Sequence, residues 1–224
     1  MRTQLTERKF NQKQLYRELE KIISNEDIFQ LDLKDEISSF TLTKGALALP
    51  SILCIYQKSL IDEYTMYEIK HKFSKFFQSY NGTVGFAVSD EDQKWQNTTN
   101  IERYKDANKP LENLVLKLKT NVFKKEELVV DKECLPGHNH YVKRGLWFGS
   151  CWTMWFGNEY FNFISKESLL AFRDGFETKE LEDGSVVITL YDDIWDFNNP
   201  ENRDIQWSFR KKLGIDDVAH DLLT

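Results

Sequence analysis

The run Leu146 to Phe156, LWFGSCWTMWF, constrains this chain more than any other stretch. It reads as a strand, and a strand sends successive side chains to opposite faces. Trp147, Phe148, Trp152, Trp155 and Phe156 fall at both odd and even positions, so both faces carry large aromatic groups. Such a strand is either buried on both sides, as core, or leaves one side for a partner. A core is easily supplied: 224 residues include 16 Phe, 9 Tyr and 6 Trp, which excludes global disorder.

The elements around this run mix helices with hairpins. Asn11 and Gln14 have capping-box spacing, and Leu15, Leu19, Ile22 and Ile23 continue as a helical stripe. Residues 28–49 are mixed in pattern, and Ser51 to Gln57 reads as a buried strand. Asp62 to Tyr80 reads as a helix with Ile69, Phe73, Phe76, Phe77 and Tyr80 on one side, stopped by Asn81-Gly82. Thr83 to Ser89 follows as a strand. Residues 90–110 are polar without apolar periodicity and read as a long loop. Leu114 to Leu118 fits strand or helix.

After the aromatic run, Gly157-Asn158 suggests a hairpin turn back into Tyr160 to Ile164. Ser165 caps a short helix to Phe172. Asp183-Gly184 is a strong hairpin signal between Phe176–Leu181 and Ser185–Tyr191. Asn199-Pro200 opens a helix with the stripe Ile205, Phe209 and Leu213, which Gly214 ends, and Asp216 to Leu223 forms a last helix. No GxGxxG or P-loop opens any helix. The order predicts an α+β fold, a mainly antiparallel sheet with helices packed on one face or at the ends. A single domain over 1–224 is expected, with 90–110 the place where a subdivision would fall.

The N-terminus lacks the apolar region of a signal peptide, and no stretch reaches the roughly 20 apolar residues of a membrane span. Three cysteines, Cys54, Cys134 and Cys151, make an odd, scattered set. A cytoplasmic setting is the expectation. Net charge is −6 and uneven: from Asp174 to Thr224 there are 13 acids against 5 bases. An acidic block repels phosphates, so no nucleic-acid surface is expected there. It suits a basic partner, a metal, or nothing more than solubility.

Several motifs invite chemistry. Gly149-Ser150-Cys151-Trp152 copies the letters around a papain-type nucleophile. That chemistry needs the Cys at a helix start, a His about 130–150 residues downstream and an upstream Gln. Here 73 residues remain after Cys151, only His220 follows it, and Gly145 stands where the Gln belongs. A small Cys packed within a strand is the better reading. Gly137-His138-Asn139-His140 contains the letters HNH, but those nucleases spread their residues over roughly 30 positions. Cys134, His138 and His140 have local ligand spacing, with Glu133 or Asp131 as further donors, yet no second Cys/His cluster completes a zinc shell. Pro136-Gly137 suggests a polar surface turn, and no metal or cofactor is expected. Glu177 and Lys179 form an ExK pair, but no Asp lies between Asp131 and Asp174 to share a cation.

The string Asp192-Asp193-Ile194-Trp195-Asp196-Phe197 alternates acids with aromatics before a capped helix. It lacks the calcium-loop pattern. The string reads first as an acidic loop anchored by its two aromatics. A sharper reading is a protein-binding surface, since aromatic anchors ringed by carboxylates suit a basic, nucleic-acid-like partner. Acid/base use of the carboxylates has no supporting His or second motif. Over Gly145 to Ile215, the order GxxWxxxFG, Tyr160-Phe161, Ile164, a short helix, the Asp183-Gly184 hairpin and LYDDIWDFNNPENRDIQWSFRKKLGI resembles bacterial immunity proteins of polymorphic-toxin systems. Its carriers are Trp152, Gly157, Tyr191, Pro200, Asn202, Arg203 and Leu213. The resemblance implies a non-enzymatic protein that binds and occludes a toxin domain. The expected partner is then a basic toxin domain, met by Asp192, Asp193, Trp195, Asp196 and Glu201, with Asp183 as an outlier. The alternative is a hydrolase built around Cys151 or the His138/His140 loop.

Overall fold

The computed structural model describes Arg17, the strands Phe29–Lys34, Ser38–Lys44 and Ile52–Gln57, the helix Glu63–Ser79, and residues 81–223 except 143–145. The helix expected over 11–23 lies outside the described residues, Arg17 apart. Contacts group the chain into two compact units, Met1–Leu60 and Ile61–Thr224.

The first unit contains β1 (Phe29–Lys34), β2 (Ser38–Lys44) and β3 (Ile52–Gln57), an antiparallel sheet in the order β1-β2-β3. Its register pairs apolar positions: Leu31 with Leu42, Leu33 with Phe40, and Phe40 with Ile55. The mixed stretch 28–49 thus resolves into two strands, because Leu31, Leu33, Phe40 and Leu42 alternate with polar residues at period two.

The second unit is built on a four-stranded antiparallel sheet. Helix α1 (Glu63–Ser79) leads to β4 (Val84–Ala87), then α2 (Asp90–Asn97) and α3 (Ile101–Asp106). Next come the hairpin β5 (Leu116–Thr120) and β6 (Glu126–Val130), the short pair β7 (His140–Tyr141) and β8 (Trp147–Phe148), and β9 (Thr153–Phe156). Helix α4 (Lys166–Ala171), β10 (Glu177–Glu180), β11 (Val186–Thr189), α5 (Pro200–Leu213) and α6 (Ile215–Leu223) complete it. The main sheet runs β10-β11-β9-β4. The mixed α+β reading with antiparallel sheets therefore holds.

Strand β9 is buried on both faces. Met154 and Phe156 join Val186, Ile188, Phe209, Ile215 and Ala219 in the main core. Trp155 and Val187 point the other way, onto Phe77 and Phe73 of α1, and the Trp155 indole N–H donates to Ser74 Oγ at 2.9 Å. Aromatic residues on both faces thus satisfy two layers at once.

Three local expectations are corrected. Residues 90–110 are not a loop: Ser89 Oγ caps α2 by accepting from Asp92 N–H at 3.2 Å, and Asn100 Oδ1 caps α3 by accepting from Glu102 N–H at 2.9 Å. Apolar periodicity missed α2 because its buried side chains are Asp92 and Gln96.

Leu146 to Phe156 is not one strand but two, β8 and β9, in different sheets. The break follows from packing at Gly149, where a Cβ would sit 2.1 Å from Asn139 Oδ1, and from Ser150 Oγ, which donates to Pro136 O at 2.5 Å.

Tyr160–Asn162 is a 3-10 turn and not a returning strand. Gly157 serves close approach instead of a hairpin: a Cβ there would lie 1.9 Å from Gly82 O, and its N–H donates to Thr83 O at 2.9 Å.

Candidate functional site

Two features of the second unit are candidates for a functional site, an acidic aromatic edge and a buried histidine cluster. The edge begins where β11 ends. Trp152 Nε1 donates to Asp192 O at 3.1 Å, and Asp193 Oδ1 accepts from Trp195 N–H at 2.8 Å, capping the 3-10 turn Ile194–Asn198. Ile194 and Phe197 are buried in the main core. Asn202 Nδ2 donates to Asp196 O at 2.9 Å, and the Arg203 guanidinium lies over the Phe197 ring at 5.6 Å. Asn199 Oδ1 then caps α5 by accepting from Glu201 N–H at 3.0 Å, with Pro200 in the first turn.

This pinning leaves Asp192, Trp195, Asp196 and Glu201 exposed and Asp193 half-buried. Five of the six residues expected at a partner surface therefore share one short stretch. Asp183 does not join them. It lies in the β10–β11 turn, at the other end of β11, and accepts from Ser185 N–H and Oγ–H and from Gln78 Nε2. Burial acts to raise its pKa, but these hydrogen bonds outweigh it and hold the carboxyl below its ordinary value. On α5, Asp204, three residues after Glu201 and so its neighbour on the helix surface, is also exposed and was passed over in the sequence. Trp207 is exposed too, but its ring lies 6.5 Å from that of His138, beside the histidine turn.

Cys151 is buried, and its thiol donates to Thr153 O at 3.4 Å. Burial pushes the thiol pKa far up, the opposite of an activated thiolate.

The His138/His140 turn is the largest surprise. It is not a surface loop: both rings are buried. Helix α2 clamps it. Gln96 Oε1 accepts from Gly137 N–H at 2.8 Å, Asn97 Oδ1 accepts from Asn139 N–H at 2.8 Å, and Gln93 Oε1 accepts from Asn139 Nδ2 at 2.9 Å. From the other side Arg210, also buried, donates through Nη1 to His138 O at 2.7 Å and Ser150 Oγ at 3.2 Å.

Gly214, in the left-handed region at φ +61°, turns the chain between α5 and α6 and returns Asp216 to Arg210. Arg210 Nε donates to Asp216 Oδ2 at 3.1 Å, and Nη2 donates to Asp216 Oδ1. Three ligand-type atoms then converge. His138 Nε2 and His140 Nε2 are 3.0 Å apart, His140 Nε2 and Asp216 Oδ1 2.8 Å, and His138 Nε2 and Asp216 Oδ1 3.2 Å.

The tautomer of His138 follows from its partners. Nδ1 lies 2.5 Å from Leu135 O and must donate, so in the neutral ring Nε2 accepts, here from Arg210 Nη2 at 2.6 Å. Burial keeps this ring neutral, lowering its pKa against the opposing pull of Asp216. Burial alone would raise the Asp216 pKa, but hydrogen bonds from His140 and Arg210 hold its carboxyl far below the usual range.

His220, one turn after Asp216, places its ring 5.0 Å from that of His140, and its Nε2 is 3.6 Å from Glu133 Oε1. Sequence reading found Glu133, His138 and His140 but not Arg210, Asp216 and His220. The i,i+4 pair Asp216/His220 was legible as one helix face, but nothing local tied that face to a turn more than 70 residues earlier.

No protein-family model, curated protein or solved structure matches this chain.

Proposed function

We propose that this is a non-enzymatic, protein-binding protein of the bacterial immunity type, acting in the cytoplasm by covering the basic surface of a cognate toxin domain. The observation that carries this reading is the mounting of the acidic edge. Ile194 and Phe197 are fixed in the core, so the backbone of Trp195 and Asp196 on the turn, flanked by Asp192 before it and Glu201 in the first turn of α5, has little freedom left to lose. A preorganised surface loses less entropy on docking. An aromatic side chain ringed by carboxylates supplies an anchor together with electrostatic steering.

The competing reading, a hydrolase, gains nothing from Cys151, whose thiol is buried and held protonated. Nor does His138 offer a ring face to a substrate.

The test is to recover the partner from host lysate at low salt and measure its association rate. Asp192→Lys with Asp196→Lys should slow association by about tenfold or more at low ionic strength, and the deficit should shrink as salt rises. Trp195→Ala should speed dissociation. A partner captured with an unchanged on-rate in the charge-reversed protein would sink the acidic edge as the interface.

A further inference from the structure

We propose that His138, His140 and Asp216 form a binding site for one divalent transition-metal ion of the zinc class. The three donor atoms lie 3.0, 2.8 and 3.2 Å from one another. Around an ion with bonds of about 2.0–2.1 Å, neighbouring donors are separated by about 2.8–3.0 Å in an octahedral shell and about 3.3–3.4 Å in a tetrahedral one. The triangle therefore already has nearly the size of one face of such a shell. These residues also form a ligand-capable group on distance alone.

The supporting interactions have the character of metal sites. Metal-binding histidines usually donate their second ring N–H to a carbonyl or carboxylate, which fixes the tautomer and frees the other nitrogen. His138 does this through Nδ1 to Leu135 O. Asp216 has Oδ2 held by Arg210 Nε, while Oδ1 faces the histidines and also accepts from Arg210 Nη2. The turn carrying both histidines is held by Gln96, Asn97 and Gln93, so little ordering remains when an ion arrives.

Two imidazoles and one carboxylate suit zinc, cobalt or iron(II), whereas calcium and magnesium prefer all-oxygen shells. A third of the Asp216 side chain is exposed, and the exposed His220 and Glu133 stand beside His140, so ions can enter from that side. Arg210 Nη2 is the competitor, since it donates to both His138 Nε2 and Asp216 Oδ1. Binding requires that both Nη2 contacts and the His140 Nε2–Asp216 Oδ1 hydrogen bond yield, with the proton on that nitrogen released, while Nε and Nη1 keep their holds on Asp216 Oδ2 and the His138 carbonyl.

The test uses the full chain, stripped with chelator and titrated with Zn(II) by calorimetry and with Co(II) by visible absorption. One ion per chain should bind. In nitrogen-detected NMR, the Nε2 signals of His138 and His140 should move as ligands on adding zinc. Asp216→Asn and His140→Gln should each weaken zinc binding at least about tenfold, while His71→Ala on the exposed side of α1 should change nothing. Should a ligand variant fail to fold, the wild-type titration and its histidine signals decide alone. Wild-type protein that takes up neither metal at micromolar concentration overturns the site, as do Nε2 signals of His138 and His140 unmoved by zinc. This outcome is independent of whether the acidic edge binds a partner.

Discussion

Arg210 and Asp216 occupy consecutive helices and meet across Gly214, with Arg210 Nε 3.1 Å from Asp216 Oδ2. Arg210 keeps 1% of its side chain in water and Asp216 33%. Removing the carboxylate would leave the guanidinium buried without its counter-charge. Asp216→Ala should therefore cost about 3 kcal/mol of unfolding free energy, the low end for a broken buried pair because Asp216 is partly solvated. Urea denaturation measures it, and a loss below about 1 kcal/mol would show that Arg210 is satisfied by the His138 and Pro136 carbonyls and Ser150 alone.

Acid should destabilise the protein in two stages. Burial lowers the His138 pKa in the folded state, so the unfolded chain takes up a proton first as pH falls toward and below the ordinary value of 6.5. Stability present above that value is lost on acidification. The folded-state pKa of Asp216 is also depressed, so its contribution is full above the ordinary carboxylate value of 3.8 and is lost as pH falls below it. Asp92 has the opposite sign, because burial, only partly countered by Arg203, raises its pKa, so it offsets part of the loss as pH falls. Urea midpoints measured between pH 7.5 and 5, with Asp92→Asn as the background, follow the histidine stage. A midpoint that rises over this interval would contradict the assignment of His138 as a neutral buried ring.

A second buried pair tests the same physics elsewhere. Asp92 is 1% exposed and lies 2.8 Å from Arg203 Nη2, with no other hydrogen-bond partner for either carboxylate oxygen among the described residues. Arg203→Met leaves that carboxylate alone in the interior and should cost about 3 kcal/mol at neutral pH. The Asp92 pKa would then rise further, and protonation would relieve the penalty. The gap between variant and native stability should narrow as pH falls from 7 to 5. A pH-independent gap would mean that the loss comes from the Arg203 packing on Phe197.

Much of this architecture was legible where local chemistry and burial agree. Ser165, Asn199-Pro200, Gly214 and Asp183-Gly184 mark their turns and caps correctly because each acts on its own backbone. The failures share a cause. Helix α2, the break at Gly149 and the turn at Tyr160 are decided by contacts with distant backbone and polar side chains. Gly157 resembles a hairpin glycine and is in fact packed on Gly82. The stripe Ile205, Phe209 and Leu213 reads as the buried face of α5, yet Gln206 and Arg210 are buried beside it. A polar ridge directed at the His138 turn cannot be told from a solvated face without the partner that buries it.

The cysteines separate the two readings of the GSCW motif. Cys134 is exposed and Cys151 buried. With Cys54 replaced by Ser, so that only these two report, folded protein should label once with a thiol reagent, at Cys134, and label twice in denaturant. Rapid modification of Cys151 in the folded state near neutral pH would revive the nucleophile.

Gly214 and Gly149 are held by different constraints. Gly214 needs its left-handed φ, but none of the described residues lies within 4 Å of the place a Cβ would take. Gly214→Ala should therefore cost about 1 kcal/mol of backbone strain and leave the histidine cluster unchanged. Gly149 has no such strain, but a Cβ there would meet Asn139 Oδ1 at 2.1 Å and His138 O at 3.2 Å. Asn139 is held by Asn97 and Gln93, so Gly149→Ala must push on the clamp that positions His138 and His140. It should cost more than Gly214→Ala and shift the side-chain nitrogen signals of both histidines. Equal costs, with the histidine signals unmoved by Gly149→Ala, would show that the turn yields freely and that the cluster is not held by α2.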